Sequence, residues 1–273
     1  MSNPRLPREI LDYVVDLLHD EPDALKQCCL VSKSWVSRTR KHLFTDISFN
    51  HANDLKAWKK TFSDPANSPA YHTRSLFVGC PRFVTAADAE EGGWIRAFSR
   101  VVRFEVRTRR NYCLATAFVP FHNFSPALKS LRVINSLPRS RVFNLVCSLP
   151  LLEDLSIREV GIGGAGHDGI DFQPSTSPLL TGTFKLDSME ETGLTVHRLL
   201  DLPGGLHFRK LVLTLRNEKD LRWITELVVG CSDTLECFDI QHAMYSTFPW
   251  FPHLDQCLTR TFARTSGQAA GFH

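Results

Sequence analysis

Glycine, histidine and aspartate are concentrated in the stretch GIGGAGHDG, which runs from Gly161 to Gly169. Gly161, Gly163 and Gly166 have the G-x-G-x-x-G spacing with which a dinucleotide-binding loop approaches a pyrophosphate. That chemistry requires a helix that opens from the glycines, but the residues that follow, HDGIDFQPSTSP, are polar and contain proline. The pattern therefore favours a flexible surface loop.

The same loop carries His167, Asp168 and Asp171, whose side chains are of types that bind metal ions. Their spacing matches no known metal site closely, so we expect neither a metal nor another cofactor. The sequence also contains no GxSxG nucleophile elbow and no HExxH zinc motif. We therefore predict no catalytic residue.

The eight cysteines form no CxxC pair and no regular framework. They are Cys28, Cys29, Cys80, Cys113, Cys147, Cys231, Cys237 and Cys257. Cys28 and Cys29 are adjacent in an apolar helical pattern, where cysteine acts as a small hydrophobic residue. We expect buried free thiols, which fit an intracellular protein.

The composition is that of a globular protein, because 43% of the 273 residues are hydrophobic and 22% are charged. The formal net charge of +3 is too small to indicate nucleic-acid binding. No stretch approaches the ~18 uninterrupted apolar residues of a membrane span, and the N-terminus shows no signal-peptide pattern. We expect an intracellular protein, cytoplasmic or nuclear, that binds neither nucleic acid nor membrane.

The segment LPREILDYVVDLLHD, residues 6–20, has an unusually wide apolar surface for a helix. At ~100° per residue, its polar side chains occupy an arc of roughly 100° and its apolar side chains about 200°. A surface helix usually needs an apolar stripe of only ~100°. The second apolar face either contacts a partner or packs against the remainder of the chain, and periodicity alone leaves both open.

Two further helices are predicted after this one. Pro7 suits the first turn of the first helix, Pro22 begins a second that ends near Cys29, and Ser32 can cap a third that ends near Leu43. The third helix carries a basic cluster, for which a solvated outer face is the ordinary interpretation and phosphate binding the alternative. This cluster comprises Lys33, Arg38, Arg40, Lys41 and His42.

The N-terminal segment, residues 4–47, resembles an F-box. The matching positions are Leu6-Pro7, Glu9-Ile10-Leu11, Leu18, Leu25, Leu30-Val31-Ser32-Lys33, Trp35, Leu43-Phe44 and Ile47. The resemblance implies a three-helix module that docks on a Skp-type adaptor and, through it, on a cullin ubiquitin ligase. The implied adaptor contacts are Leu6, Pro7, Ile10, Leu11, Leu30, Val31 and Trp35.

Short segments with alternating apolar residues recur in the remainder of the chain. Their central residues are Leu76, Phe104, Leu131, Leu155, Phe184, Leu211 and Phe238. They recur every ~24–29 residues, and helical patterns at 142–147, 196–202 and 221–229 separate several of them. A strand and a helix in each repeat predict units that stack because none can bury its apolar face alone.

Residues 73–257 therefore resemble an irregular leucine-rich-repeat-like domain of the kind that often follows an F-box. The expected fold class is α/β: an N-terminal three-helix F-box, then a leucine-rich-repeat-like solenoid with a parallel sheet. Residues 48–72 are predicted to be a linker or cap with a helix near 52–62. We expect FPWF, residues 248–251, to plug the solenoid, with a partner contact as the alternative, and 258–273 to be a disordered tail.

The alternation also predicts which side chains point outward from the sheet. Five basic ones, Arg103, Arg107, Arg132, Arg158 and Lys185, are candidates for binding an acidic or phosphorylated target. The alternative is that they are solvated strand residues that form cross-strand charge pairs.

The resemblances together predict a non-enzymatic substrate receptor, in which the F-box docks on the adaptor and the repeats hold a target protein. A first rival is a scaffold that pairs with the adaptor without directing degradation. A second is an enzyme with a solenoid body, which would require converging polar groups in a pocket.

Overall fold

The computed structural model describes residues 7–79, 84, 86–89, 93–107, 121–122, 124–134, 139–158, 178–187, 192–215 and 220–242. Several predicted features lie outside these ranges. They are Leu6, the glycine-rich loop with His167, Asp168 and Asp171, the FPWF segment and the predicted tail at 258–273.

Three helices open the described chain, as the sequence predicts: α1 (Arg8–Leu17), α2 (Pro22–Val31) and α3 (Lys33–Leu43). Proline precedes α1 and begins α2. The lack of an N–H on proline costs nothing at these positions, because an N–H at the start of a helix has no acceptor within the helix. Ser32 caps α3, because its hydroxyl accepts a hydrogen bond from the N–H of Ser34 at 3.3 Å.

The centre of this three-helix module is small. Val15 of α1, Leu25 of α2 and Thr39 of α3 are its fully buried side chains. The Thr39 hydroxyl donates a hydrogen bond to the Trp35 carbonyl at 2.8 Å and lies 2.8 Å from the Cys29 sulfur. Buried polar groups are stable only when they are hydrogen-bonded, so Thr39 is accommodated without an unmet donor.

The rest of the described chain is built on one sheet of eight parallel strands, ordered β1 to β8 as they occur in the sequence. The strands are β1 (Asp46–Phe49), β2 (Ser75–Val78), β3 (Arg103–Arg107), β4 (Ser130–Ile134), β5 (Asp154–Arg158), β6 (Thr183–Asp187), β7 (Lys210–Leu215) and β8 (Cys237–His242). The seven predicted strands are confirmed as β2 to β8. The sequence analysis did not predict β1, which pairs with β2 across the expected boundary at residue 47.

Helices lie in the connections between the strands. They are α4 (Ala52–Thr61), α5 (Arg139–Cys147), α6 (Thr192–Leu200) and α7 (Asp220–Gly230), with short 3-10 helices at Pro65–Asn67, Pro69–His72, Ala86–Ala89 and Arg96–Phe98. All four helices coincide with predicted helical patterns. Parallel strands require such crossovers, since a hairpin can join only antiparallel neighbours.

The sheet contributes two rows of apolar side chains to the core, and both rows cross it in register. One row follows the pairs Leu76–Phe104–Leu131–Leu155–Phe184–Leu211, and the other follows Val78–Val106–Val133–Ile157–Leu186–Leu213. All twelve are buried. Because side chains alternate between the faces of a strand, this leaves the intervening residues on the outer face of the sheet.

A backbone pattern recurs at the starts of six of the seven strands from β2 to β8. The carbonyl of Thr45 accepts hydrogen bonds from two successive N–H groups of the next repeat, those of Arg74 and Ser75, at 2.8 and 3.0 Å. The carbonyls of Arg74, Val102, Lys129, Gly182 and Arg209 each accept two such bonds in the same way. These repeats are therefore joined by the same main-chain geometry despite their unequal lengths, and the start of β6 is the exception.

Candidate binding surfaces

Helix α1 carries an apolar stripe that the rest of the described chain does not cover. Ile10, Tyr13, Val14 and Leu17, which we call the α1 stripe, follow the i, i+3, i+4, i+7 spacing of one helix face. Each of these side chains is between 42% and 62% exposed. The helix packs instead on α3 through its other side, where Val15 is fully buried. The second apolar face of α1 is thus open to a partner.

The end of α2 adds two further exposed apolar side chains to the same module. Leu30 is 81% exposed and Val31 is 72% exposed, the highest fractions among the large hydrophobic residues of the described chain. A group of exposed apolar side chains often marks a surface that binds another macromolecule, whereas a single exposed apolar side chain is ordinary.

The implied adaptor contacts divide into two groups in this structure. Pro7, Ile10, Leu30 and Val31 are exposed, whereas Leu11 and Trp35 are half-buried. Trp35 also has its indole N–H buried, with no hydrogen-bond partner among the described residues.

Three exposed residues of the α1 stripe, Tyr13, Val14 and Leu17, were not among the implied contacts. Their helical spacing in the sequence was the signal that could have identified them.

A cluster of charged side chains fixes α1 against α3. The Asp16 carboxylate of α1 accepts a hydrogen bond from Arg38 Nε at 2.6 Å, and its second oxygen contacts Arg38 Nη2. His42 Nε2 lies 2.7 Å from the first oxygen. These contacts, those from Arg38 foremost, hold the pKa of Asp16 well below its usual range.

This arrangement separates the predicted basic cluster into two parts. Arg38 and His42 bind Asp16, so they support the α1–α3 packing and are not merely solvated. Lys33, Arg40 and Lys41 are exposed.

The five predicted target-binding residues are all exposed on the outer face of the sheet. Arg107 and Arg132 share one carboxylate, since their guanidinium nitrogens lie 3.8 and 3.4 Å from the two oxygens of Glu105. Arg158 Nε lies 3.2 Å from an oxygen of Asp187 on the neighbouring strand. Three of the five thus take part in charge pairs. Those of Arg132 and Arg158 are cross-strand pairs, as the alternative interpretation anticipated, whereas Arg107 and Glu105 lie on the same strand.

The outer face also contains apolar groups beside these charges. The guanidinium carbon of Arg107 lies 5.4 Å from the ring centre of Phe77, within the range of a cation–π contact. Ile134, which is in register with Arg107 and Arg158, is 5% exposed although it lies on this outer face. Arg103 and Lys185 form no ion pair with a carboxylate in the described residues.

The described cysteines are free thiols in different environments. Cys147 and Cys231 are buried, and burial raises the pKa of each thiol to about 11. Cys28 and Cys29 are half-buried. The prediction of buried thiols is wrong for Cys237, which is exposed because it lies in register with Lys210 on the outer face. Cys80, Cys113 and Cys257 lie outside the described residues.

The described ranges contain no candidate metal centre and no candidate membrane span. Within these ranges, no three histidine, cysteine or acidic side chains lie close enough together to hold a metal ion. No helix among the described residues has both the length and the apolar composition needed to cross a membrane.

Comparison with known proteins gives no relative from which a role can be transferred. No protein-family model matches the chain, and no curated protein is significantly similar to it.

Proposed function

We propose that this protein is the substrate-recognition subunit of a Skp–cullin–F-box type ubiquitin ligase. Its three-helix module would bind the Skp-type adaptor, and its sheet would hold a target protein. Such a receptor acts by proximity, because holding the target near the transfer machinery raises the effective concentration of its lysines. The proposal requires no catalytic side chain and no cofactor on this chain.

The exposed apolar surface of the three-helix module is the observation that carries the proposal. The α1 stripe, Leu30 and Val31 are exposed on a module whose buried centre is small. The core of a stable interface is apolar, and a large aromatic residue is a frequent anchor. Tyr13, at 62% exposed, is the aromatic side chain that α1 offers for this role.

The arrangement of the strands supports the second half of the proposal. Eight parallel strands in sequence order, with one backbone pattern at six of the strand starts, are what a leucine-rich-repeat-like solenoid would contain. Such a body presents an extended face of strand residues. That face here carries Arg103 and Lys185, which are free to pair with acidic groups of a target, beside arginines already paired with Glu105 and Asp187.

The direct test is a pull-down with a purified Skp-type adaptor. Val14→Asp combined with Leu30→Asp places charge on the exposed apolar surface without disturbing the buried centre, so we expect it to abolish binding. Leu151→Asp combined with Leu194→Asp is the matched control, because these leucines are 45% and 49% exposed but lie outside the three-helix module. Wild type and control should bind equally.

Failure of well-folded wild-type protein to bind the adaptor would reject the proposal. If the adaptor binds, adding the cullin separates a ligase subunit from a non-degradative scaffold. A ligase subunit assembles with the cullin and supports ubiquitin-dependent loss of a partner, whereas a scaffold would pair with the adaptor alone.

A further inference from the structure

Four cations lie on segments of the chain that meet at the 3-10 helix ending in His72. Helix α3 packs against the 3-10 helix Pro69–His72, which packs in turn against the 3-10 helix Arg96–Phe98. The four are Arg40 and Lys41 in the last turn of α3, Arg74 just before β2, and Arg100 just before β3. All four side chains are exposed. Together with His72 they form what we call the His72 cluster.

Three of the cations are close enough to His72 to act on it. Burial and then the positive charges of Arg100, Lys41 and Arg40 lower the pKa of His72 below its ordinary value. Arg74 Nη1 donates a hydrogen bond to the Arg100 carbonyl at 3.4 Å, which places the fourth cation beside the backbone of Arg100.

The four cations have no anionic partner within the part of the chain that the structure describes. None forms an ion pair with a described carboxylate, and Asp46, in register with the residue after Arg74, makes no such contact. On the outer face of the sheet, by contrast, Arg132 and Arg158 are matched by carboxylates. The His72 cluster is therefore a concentration of positive charge that the described fold does not neutralise.

Local structure accounts for only part of this charge. Cations in the last turn of a helix interact favourably with its dipole, which explains Arg40 and Lys41. Arg74 and Arg100 lie outside α-helices, so this explanation does not apply to them. Like charges held together repel one another, and an anionic ligand would remove that cost.

We propose that the His72 cluster binds an acidic segment of a partner protein. Three of its four cations are arginines, whose guanidinium groups bind carboxylates through paired hydrogen bonds. Tyr71, 47% exposed with its ring centre 4.0 Å from that of His72, offers apolar contact for the side chains of such a segment. The net charge of +3 over the whole chain favours a short acidic peptide over a nucleic acid. This proposal does not rest on the adaptor interaction.

The test is fluorescence anisotropy with the full chain and a labelled peptide of six glutamates, beside a peptide of six glutamines. We expect the glutamate peptide alone to bind, with an affinity that falls as salt is added, because exposed charges are screened. Arg74→Glu combined with Arg100→Glu should weaken binding about tenfold or more, since two attractive contacts become repulsive. Lys56→Glu combined with Lys60→Glu on α4 is the charge-matched control and should leave binding unchanged.

A second variant separates loss of binding from loss of folding. Arg40→Gln combined with Lys41→Gln alters a different element and should also weaken binding, with the circular dichroism and melting temperature of both variants close to those of wild type. The proposal is overturned if wild type does not distinguish the two peptides, or if the α4 control weakens binding as much as the cluster variants. Preferential binding of a single-stranded oligonucleotide or of phosphatidylserine vesicles would also overturn it.

Discussion

The side chain of Asp154 accepts a hydrogen bond from the backbone N–H of Thr183 at 2.6 Å. At the other strand starts from β2 to β8, the corresponding N–H donates to a main-chain carbonyl of the preceding repeat. At the start of β6, the N–H of Gly182 donates to the main-chain carbonyl of Glu153. The N–H of Thr183 donates instead to the Asp154 carboxylate. Asp154 is thus a structural residue on a face otherwise available for binding.

Gly182 is the residue that makes room for this contact. A Cβ atom at position 182 would lie 2.3 Å from the nearer Asp154 carboxylate oxygen. We expect Gly182→Ala to destabilise the protein by about 1–2 kcal/mol, because Asp154 must turn away and leave the Thr183 N–H without its acceptor. Urea denaturation measures the change. In an Asp154→Ala background the same substitution should cost clearly less, and full additivity would refute the mechanism.

The Asp16 contacts make the stability of the three-helix module depend on pH. A carboxyl group with a lowered folded-state pKa stabilises the fold above its unfolded pKa of ~3.9, and this contribution is lost as the pH falls through the folded-state value. Asp16→Asn should therefore reduce stability at pH 7 and remove part of the loss seen in wild type below about pH 4.

Exposure to solvent limits how much the Asp16 contacts contribute to the stability of the fold. The Asp16 side chain is 34% exposed, so we expect a cost of at most about 1 kcal/mol, measured by thermal unfolding at pH 7 and at pH 3. Asp12→Asn on the same helix is the control, since Asp12 forms no ion pair in the described residues and its charge acts on Arg38 less than that of Asp16. Equal pH dependence of the two variants would contradict the assignment.

A buried carboxylate joins α4 to the segment after β2. Asp88 is buried and forms an ion pair with Lys59 of α4. Lys59→Met keeps the alkyl chain but removes the charge, and should destabilise the protein by about 2–3 kcal/mol. The expected loss of stability is smaller than for a fully buried ion pair because Lys59 is 30% exposed. Lys60→Met, at an exposed neighbouring position, should change stability by less than about 0.5 kcal/mol. Similar losses in both variants would argue against the ion pair.

The two buried thiols predict a second pH dependence, at the alkaline end. A thiol whose pKa is raised to about 11 in the fold stabilises the protein below its unfolded value of ~8.5. This stability is lost as the pH rises from there through about 11.

At pH 8, alkylation followed by peptide mapping should modify exposed Cys237 and leave Cys147 and Cys231 unmodified until the protein unfolds. Rapid native labelling of the buried pair would contradict their placement.

The sequence by itself determined the helices of the three-helix module and seven of the eight strands in the part of the chain that the structure describes. Pro7, Pro22 and Ser32 mark helix starts through local chemistry. Strands β2 to β8 are visible because alternation of apolar residues is a property of each strand alone. The strand β1 was not predicted because four residues carry little periodic signal. Its pairing partner, β2, also lies almost 30 residues further along the chain.

Only the tertiary structure decided which apolar and charged side chains remain available for binding. Periodicity showed that α1 has surplus apolar surface, but its packing against α3 decided that Val15 is buried while Val14 and Leu17 are exposed. In the same way, the register of β3 with β4 brought Glu105 to Arg132. Burial and charge pairing depend on contacts between residues that are distant in sequence, and a one-dimensional pattern does not contain those contacts.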